Sequence, residues 1–254
     1  MSIAREHIWN VHVQYATLDE FVQDIDNGVN TGHIGRVLCC ANPHSLVQAQ
    51  RDAEFLHALQ QAELLLPDGF GIVLASKING GNISVRVSGP DIVTGLLTKW
   101  NLRNDRSVFF LGSTHDVLQK IQHRLQAEFP NIRNAGVYAP PFADLFTKEQ
   151  SNAMIDSVNA VSPTALMVGM TAPKQEKWIA EHKHRLNVPI ILAVGAAFDF
   201  FAGIKKRSSP TMQRFGLEWL PRLVREPKRL WQRNIISTPI FLYNIIKIRC
   251  TAKK

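Results

Sequence analysis

Short apolar segments alternate with amphipathic segments through most of this chain, and that alternation most restricts the folds it can adopt. Apolar runs such as SVFFLG (107–112) and PTALMVGM (163–170) are typical of buried strands. Segments such as TLDEFVQDIDNGV (17–29), in which Thr17 and Glu20 have capping-box spacing, are typical of helices. Strands separated by helices of this length predict an α/β fold with a mostly parallel sheet and helices on both faces.

The same pattern assigns the other elements of the chain. The predicted strands are 7–16, 34–40, 63–66, 107–112, 163–170 and a segment that begins at residue 188. The predicted helices are 17–29, 43–60, 89–100, 113–129, 147–161 and 173–186. Ligands of such folds bind outside the carboxyl ends of the strands, so we expect a site at that edge of the sheet.

Five stretches lie where a predicted strand ends, and each contains Gly, Asn, Asp or Thr. They are CCANPH (39–44), PDGFG (67–71), LGSTH (111–115), VGMTAPKQE (168–176) and VGAAFDFFAG (194–203). Any one of them is ordinary turn chemistry, but five at one edge favour a site for a polar small molecule. Helix N-termini with small residues also suit phosphate, because free backbone N–H groups point towards it.

One carboxylate in these stretches has an unusual position. Asp68 lies between Pro67 and Gly69, directly after the apolar run ELLL and before another apolar segment. The sequence alone supports two interpretations equally. Asp68 is either the N-cap of a following helix or a functional carboxylate that projects from the edge of the sheet.

Dinucleotide binding and metal binding are the chemical alternatives at this stage. GFGIVLA (69–75) begins like a G-x-G-x-x-G loop, but Leu74 occupies the third glycine position. Asp24 and Asp26 have the spacing of an Asp-x-Asp metal-binding pair, but residues i and i+2 of a helix do not share a face. We interpret them as part of a solvated helix face, and we expect no metal site. An NAD-dependent oxidoreductase remains an alternative function.

The excess of positive over negative charge is confined to the last fifth of the chain. Residues 204–254 contain 13 Lys and Arg against 2 Asp and Glu, whereas residues 1–203 contain 16 against 19. We therefore predict two parts, a body of residues 1–203 that holds all core elements and a basic appendage of residues 204–254. The appendage interleaves Arg with Trp219, Trp231 and leucines, which suits amphipathic helices on an anionic membrane surface. Composition alone also permits a non-catalytic module that binds membrane or nucleic acid.

Other features favour a cytosolic protein. Three cysteines, of which Cys39 and Cys40 are adjacent, do not suggest a disulfide framework. The segment MSIAREHIWN lacks the apolar region of a secretory signal. The run IISTPIFLYNIIKI (235–248) is too short and too polar to span a bilayer.

Ordered blocks between residues 37 and 243 resemble the WecG/TagA/CpsF family of glycosyltransferases. The blocks include LLLPDGFGIVLAS (64–76), VRVSGPDIV (85–93), VGMTAPKQEKWIAEH (168–182) and AVGAAFDFFAGIKKRSSPTMQRFGLEWLPRLVREPKRLWQRN (193–234). The resemblance implies a Rossmann-like fold and inverting, metal-independent transfer of a sugar from a UDP-sugar to a polyprenyl-diphosphate-linked saccharide. Such a reaction would serve bacterial cell-surface or exopolysaccharide synthesis. It also implies a peripheral protein on the cytoplasmic face of the inner membrane, without a cofactor and without a nucleic-acid partner.

The resemblance also suggests roles for individual residues of the body. It implies that Asp68 is the general base that takes the proton of the attacking acceptor hydroxyl. Arg86 would clamp a diphosphate, which guanidinium binds through two parallel hydrogen bonds. Asn42, in a turn where Cys40 replaces the family's Thr, and Gln175 would contact substrate. Asp199 interrupts an apolar run and would bind the donor, with a structural hydrogen-bonding role as the alternative.

The resemblance places three arginines of the appendage over the site as well. Arg222, Arg229 and Arg233 would bind the diphosphate of the lipid-linked acceptor. The appendage would thus supply both the membrane contact and part of the acceptor site.

Overall fold

The computed structural model describes residues 3–206, 208–209, 212, 219 and 230–251. Its centre is a parallel sheet with the strand order β4-β3-β8-β7-β5-β6. The strands are β3 (Arg36–Ala41), β4 (Leu64–Pro67), β5 (Ser107–Gly112), β6 (Arg133–Tyr138), β7 (Ala165–Gly169) and β8 (Ile190–Ala193). Helices cover both faces of this sheet, so the α/β, Rossmann-like prediction is confirmed.

The helices follow the predicted pattern closely. They are α1 (Leu18–Asn30), α2 (Pro43–Ala49), α3 (Ala53–Gln60), α4 (Phe70–Asn79), α5 (Gly89–Trp100), α6 (His115–Glu128), α7 (Lys148–Asn159), α8 (Lys174–His182), α9 (Ala197–Phe201) and α10 (Thr238–Thr251). A 3₁₀ turn, Lys183–Arg185, follows α8, and a π-helical segment, Gln232–Ser237, precedes α10. Thr17 and Glu20 form the capping box that their spacing predicts.

Two apolar clusters fill the space between the sheet and its helices. On one face the buried side chains of α1, α5, α6 and α9 pack on the sheet, and Trp100 of α5 and Phe110 of β5 are among the largest side chains of this cluster. On the other face the cluster joins α2, α3, α4, α7 and α8. Adjacent strand residues such as Phe109 and Phe110 belong to different clusters, because successive side chains of a strand point to opposite faces.

Two element predictions are wrong in detail. The segment 7–16 is not one strand but a hairpin of β1 (Arg5–Ile8) and β2 (Val11–Gln14), with Trp9 at the turn in the left-handed region at a φ of 57°. The predicted helix 43–60 is interrupted, because Asp52 caps a new helix by accepting a hydrogen bond from the Phe55 N–H group. The edge strand β6 was not predicted, since its sequence RNAGVY is only partly apolar.

The interpretation of Asp24 and Asp26 as a solvated helix face is also wrong. Asp26 is fully buried, accepts a hydrogen bond from Trp100 Nε1 at 3.0 Å, and pairs with Arg103 and Arg106 at 2.9 and 3.2 Å. Asp24 forms an ion pair of 2.6 Å with Arg36 at the start of β3. Both carboxylates therefore hold α1 to the amino-terminal side of the sheet, away from the predicted site.

The C-terminal helix contributes to the core of the body. Phe241 and Ile245 of α10 are buried in the cluster that contains α2 and α4, and the Phe241 ring lies 5.8 Å from that of Trp9. The expectation that every core element precedes residue 204 is therefore wrong, although the division at residues 203 and 204 stays a prediction. Phe241 and Ile245 lie four residues apart, so they share one face of the helix.

Candidate active site

Four neighbouring strands end at one edge of the sheet, and each leads into a predicted site residue. In sheet order, β4 leads into Asp68, β3 into Asn42, β8 into the turn before Asp199, and β7 into the turn before Gln175. Because the strands are parallel, their carboxyl ends meet at the same edge. This edge, formed by residues 42–44, 68–71, 170–176 and 194–199, is called the rim below.

The position of Asp68 is fixed by its backbone. Its N–H group donates to the carbonyl of Ala41 at 2.8 Å, and the Val87 N–H group donates to the carbonyl of Pro67 at 2.9 Å. The side chain is 23% exposed. The N-cap position of α4 falls on Gly69, where no side chain caps the helix, so the N-cap interpretation of Asp68 is not supported.

Two glycines after Asp68 are required by the local geometry. Gly69 has a φ of 98°, a value that favours glycine. A Cβ on Gly71 would lie 2.4 Å from Cγ of Pro43, so any other residue would push α4 away from α2. The P-D-G-F-G sequence thus brings the starts of two helices together beside the carboxylate.

The appendage reaches this carboxylate. Arg233, in the π-helical segment, places its guanidinium nitrogen 3.8 Å from a carboxylate oxygen of Asp68, and its side chain is 32% exposed. Two residues that the sequence separates widely are therefore brought together. The other two predicted arginines, Arg222 and Arg229, lie outside the described residues.

Cys40 lies close to this ion pair. Burial raises the pKa of its thiol well above the usual value, the negative charge of Asp68 raises it further, and the charge of Arg233 opposes this effect. The thiol is consequently protonated at neutral pH. At this position, which the family resemblance assigns to Thr, the side chain is a weak S–H donor.

Asn42 has a clear local role. Its carboxamide oxygen accepts a hydrogen bond from the Ser45 N–H group at 3.0 Å, and the Ser45 hydroxyl lies 2.9 Å from the Asn42 nitrogen in a capping box. The half-buried Asn42 side chain therefore holds the start of α2 at the rim. Its predicted contact with substrate stays a prediction.

Gln175 is buried at the start of α8, and its side chain stabilises the part of the rim that follows β7. Its side-chain oxygen Oε1 accepts a hydrogen bond from the Met170 N–H group at 3.2 Å, and its side-chain nitrogen Nε2 donates one to the carboxylate of Glu176 at 2.8 Å. Glu176 is itself buried, and burial raises its pKa from 4.5 to about 7. The other carboxylate oxygen of Glu176 has no hydrogen-bond partner among the described residues. Gln175 thus orders the turn after β7, and its contact with substrate stays a prediction.

The last two predicted residues of the body flank the rim. Asp199, in the short helix α9, is half-buried and forms an ion pair with Lys205 at 3.0 Å. Arg86 is half-buried in the segment that leads into α5, next to Val87, whose N–H group binds the end of β4. The roles of Asp199 and Arg86 in donor binding stay predictions.

Sequence reasoning missed His44, Ser237 and Glu176. His44 Nδ1 and the Ser237 hydroxyl are 2.8 Å apart and join the first turn of α2 to the appendage. The only sequence signal for His44 was its place in CCANPH, and Glu176 stood in the PKQE motif beside Gln175. Nothing in the sequence pattern pointed to Ser237.

The part of the chain that the structure describes lacks two features, a metal-binding cluster and a membrane-spanning helix. No three His, Cys, Asp or Glu side chains there are grouped as metal ligands would be. None of the described helices has the length and apolar character needed to cross a membrane.

A parallel α/β body with a polar rim, and a basic appendage that reaches a carboxylate there, are typical of an enzyme that binds a polar small molecule at the carboxyl ends of its strands. The model of the glycosyl transferase WecG/TagA/CpsF family matches residues 6–254. The chain therefore belongs to this family of glycosyltransferases, and the resemblance found in the sequence is confirmed. The NAD-dependent oxidoreductase and the non-catalytic module gain no support.

Three relatives bear the name N-acetylglucosaminyldiphosphoundecaprenol N-acetyl-β-D-mannosaminyltransferase. The protein of Bacillus spizizenii is 31% identical over 91% of this chain and 86% of its own length. That of Bacillus subtilis is 28% identical over 95% and 91%. That of Staphylococcus aureus is 29% identical over 99% and 96%. The similarity thus extends over nearly the whole of each chain.

Proposed function

We propose that this glycosyltransferase moves an N-acetylhexosaminyl group, of which N-acetylmannosaminyl is the first candidate, from a UDP-sugar to a polyprenyl-diphosphate-linked saccharide. The names of its relatives specify an N-acetylglucosaminyl-diphosphoundecaprenol acceptor and a β-linked product sugar. A β product from an α-linked sugar nucleotide requires inversion, which a single displacement provides.

The observation that supports this function best is the pairing of a carboxylate and a cation at the rim. Asp68 is partly exposed, fixed by its backbone, and 3.8 Å from Arg233. A reaction between a hydroxyl and a diphosphate-activated sugar needs a base and a cation close together. In the proposed mechanism Asp68 is that base, and Arg233 binds the acceptor diphosphate.

The chemical step is a direct displacement. The acceptor hydroxyl oxygen forms a bond to the anomeric carbon, and its proton passes to the Asp68 carboxylate. The bond between that carbon and the β-phosphate oxygen breaks, and UDP leaves with the electron pair. Arg86 and the N-terminus of α4, which no side chain caps, would stabilise the negative charge that develops on the leaving group. No metal ion is required in this scheme.

We further propose that the protein acts as a peripheral enzyme on the cytoplasmic face of the bacterial inner membrane. The appendage is strongly basic, and several of its large apolar side chains are exposed, among them Trp231, Ile236, Tyr243 and Ile246. Basic residues interleaved with exposed aromatic and aliphatic side chains suit the surface of an anionic bilayer. This location would bring the rim to a lipid-linked acceptor.

The test is product formation from defined substrates. The protein is incubated with a panel of UDP-sugars and a short-chain lipid diphosphate that carries N-acetylglucosamine, and the product mass is read, with and without EDTA. We expect the acceptor to gain one N-acetylhexosamine, in both conditions. Absence of product from every donor would contradict the proposed function. Loss of activity in EDTA that Mn²⁺ or Mg²⁺ restores would contradict the metal-independent mechanism.

A further inference from the structure

A side-chain hydrogen bond ties the appendage to the first turn of α2. His44 Nδ1 lies 2.8 Å from the hydroxyl of Ser237, and the two residues are 193 positions apart in the chain. Ser237 is buried. A buried hydroxyl that lost its partner would retain the cost of desolvation, so this contact favours one docked position of the segment.

Both ends of this bond lie close to the predicted catalytic residues. His44 follows Pro43, and the close approach of Pro43 to Gly71 fixes the start of α2 against the start of α4, next to Asp68. Ser237 ends the π-helical segment that also carries Arg233. Arg233 and Ser237 are four residues apart, about one helical turn, so both side chains face the body.

The other anchors of this segment are apolar. Leu230, Phe241 and Ile245 are buried, and they flank Arg233 and Ser237 on both sides. Apolar burial is strong but non-directional, so it stabilises the docked segment without orienting a polar side chain such as that of Arg233. A hydrogen bond is directional, and the one between His44 and Ser237 can therefore select the rotation that points Arg233 at Asp68.

We propose that His44 is a positioning residue that, through Ser237, sets the Arg233 guanidinium beside Asp68 for the acceptor diphosphate. This inference rests on the proposed function, and it concerns the acceptor step alone.

The charge state of His44 is compatible with a positioning role beside Arg233. Burial, and then the charge of Arg233, lower the pKa of His44, so the imidazole is neutral at neutral pH and does not repel the guanidinium. Among the described residues, the Asp68 carboxylate and the Cys40 thiol also interact with Arg233.

The role predicts a specific kinetic pattern. Loss of the bond would move Arg233 away from its position while Asp68 and the rest of the rim stay in place. The KM for the lipid diphosphate acceptor would rise, and the KM for the UDP-sugar would not. A general loss of structure would instead change both constants or lower the amount of folded enzyme.

The experiment compares His44→Ala, Ser237→Ala and the double variant with the unmodified full-length protein. We expect each single change to raise the acceptor KM roughly tenfold, which is the scale of one hydrogen bond. The donor KM should stay within about twofold of its value in the unmodified protein. The double variant should match the single ones, because the two residues act through one bond. His44→Asn, whose amide can occupy the place of Nδ1, should recover most of the loss. His123→Ala, at an exposed position of α6, is the matched control.

Hydrogen–deuterium exchange of residues 238–251 gives a second readout that needs no turnover. Exchange there should rise in His44→Ala and Ser237→Ala and remain unchanged in β5. Unchanged exchange would overturn the inference, as would equal rises of both KM values or additive effects in the double variant. If the unmodified protein transfers no sugar to any acceptor, the proposed function fails, and the exchange data alone still decide whether this bond positions the segment.

Discussion

The guanidinium of Arg233 lies 3.8 Å from the carboxylate of Asp68, so the appendage contributes a cation to a rim position where the body offers a partly exposed acid. Both side chains retain contact with solvent, and pairs of this kind contribute about 1 kcal/mol or less. A diphosphate carries more charge than a carboxylate and binds guanidinium through two parallel hydrogen bonds. In the proposed mechanism the acceptor diphosphate therefore displaces Asp68 from Arg233 and leaves the carboxylate available as a base.

Arg233→Ala should weaken acceptor use by about tenfold to a hundredfold, the range for a hydrogen bond to a charged group. Arg233→Lys should recover only part of this loss, because an ammonium lacks the planar fork. Initial rates at varied concentrations of a water-soluble lipid diphosphate acceptor would measure the effect. Arg249→Ala, at an exposed position near the end of α10, serves as the control. An equal effect of Arg233→Ala on the donor KM would contradict this assignment.

Glu176 should make the stability of the protein depend on pH. In the unfolded chain the carboxyl ionises near 4.5, whereas in the folded protein its pKa is about 7. The folded state therefore binds more protons between these values, and the free energy of unfolding falls as the pH rises, by up to roughly 3 kcal/mol. Glu176→Gln, which mimics the neutral acid, should raise Tm at pH 8 and change it little at pH 4.5.

Glu181→Gln is the matched control for this measurement, since Glu181 lies on the same helix and its side chain is 75% exposed. Thermal unfolding of both variants and the unmodified protein between pH 4.5 and pH 8 would measure this dependence. Parallel pH profiles for Glu176→Gln and the unmodified protein would show that Glu176 is not the group responsible.

Phe241 should anchor the appendage to the body. The side chain is 0% exposed, and Phe→Ala changes in a core typically cost about 3–5 kcal/mol. We expect Phe241→Ala to lower the free energy of unfolding on this scale, as measured by urea denaturation. Tyr243→Ala, at a position 66% exposed on the same helix, should change it by less than about 0.5 kcal/mol. Similar effects of the two changes would mean that α10 is not docked on the body.

Removal of the residues after 203 should abolish binding to anionic vesicles. Each Lys or Arg near such a surface contributes about 1 kcal/mol, and the exposed apolar side chains of the appendage would also be lost. Because Phe241 and Ile245 belong to the core, the truncated body should also lose stability. Flotation with vesicles that contain phosphatidylglycerol, beside vesicles of phosphatidylcholine alone, measures the binding. Undiminished flotation of the truncated body would place the membrane contact elsewhere.

The sequence predicted the sheet and the location of the rim because both depend on local patterns. Apolar runs such as SVFFLG specify buried strands, and turn residues such as those of PDGFG follow from backbone geometry. The hairpin turn at Trp9 was missed, since apolar alternation continues across it and Trp rarely adopts a positive φ. The burial of Asp26 was missed as well, because its partners Trp100, Arg103 and Arg106 come from another part of the chain.

No local sequence pattern predicts the contacts that the appendage makes with the body. The hydrogen bond between His44 and Ser237 joins residues that no periodicity or motif connects. Phe241 docks on a surface to which both the hairpin residue Trp9 and α2 contribute, and these are far from Phe241 in the chain. Resemblance suggested Arg233 as a site residue, but only the folded chain shows it beside Asp68.

The turnover of Asp68→Asn tests the central claim most directly. The change keeps the size of the side chain and removes its ability to accept a proton, and loss of a general base lowers kcat by about a hundredfold or more. The measurement is single-turnover transfer to the lipid diphosphate acceptor, beside UDP affinity and the thermal unfolding of the same preparation. We predict a folded protein that binds UDP nearly as well as the unmodified enzyme and transfers sugar at least about a hundredfold more slowly. A folded Asp68→Asn protein with normal turnover would contradict the claim and place the base elsewhere on the rim.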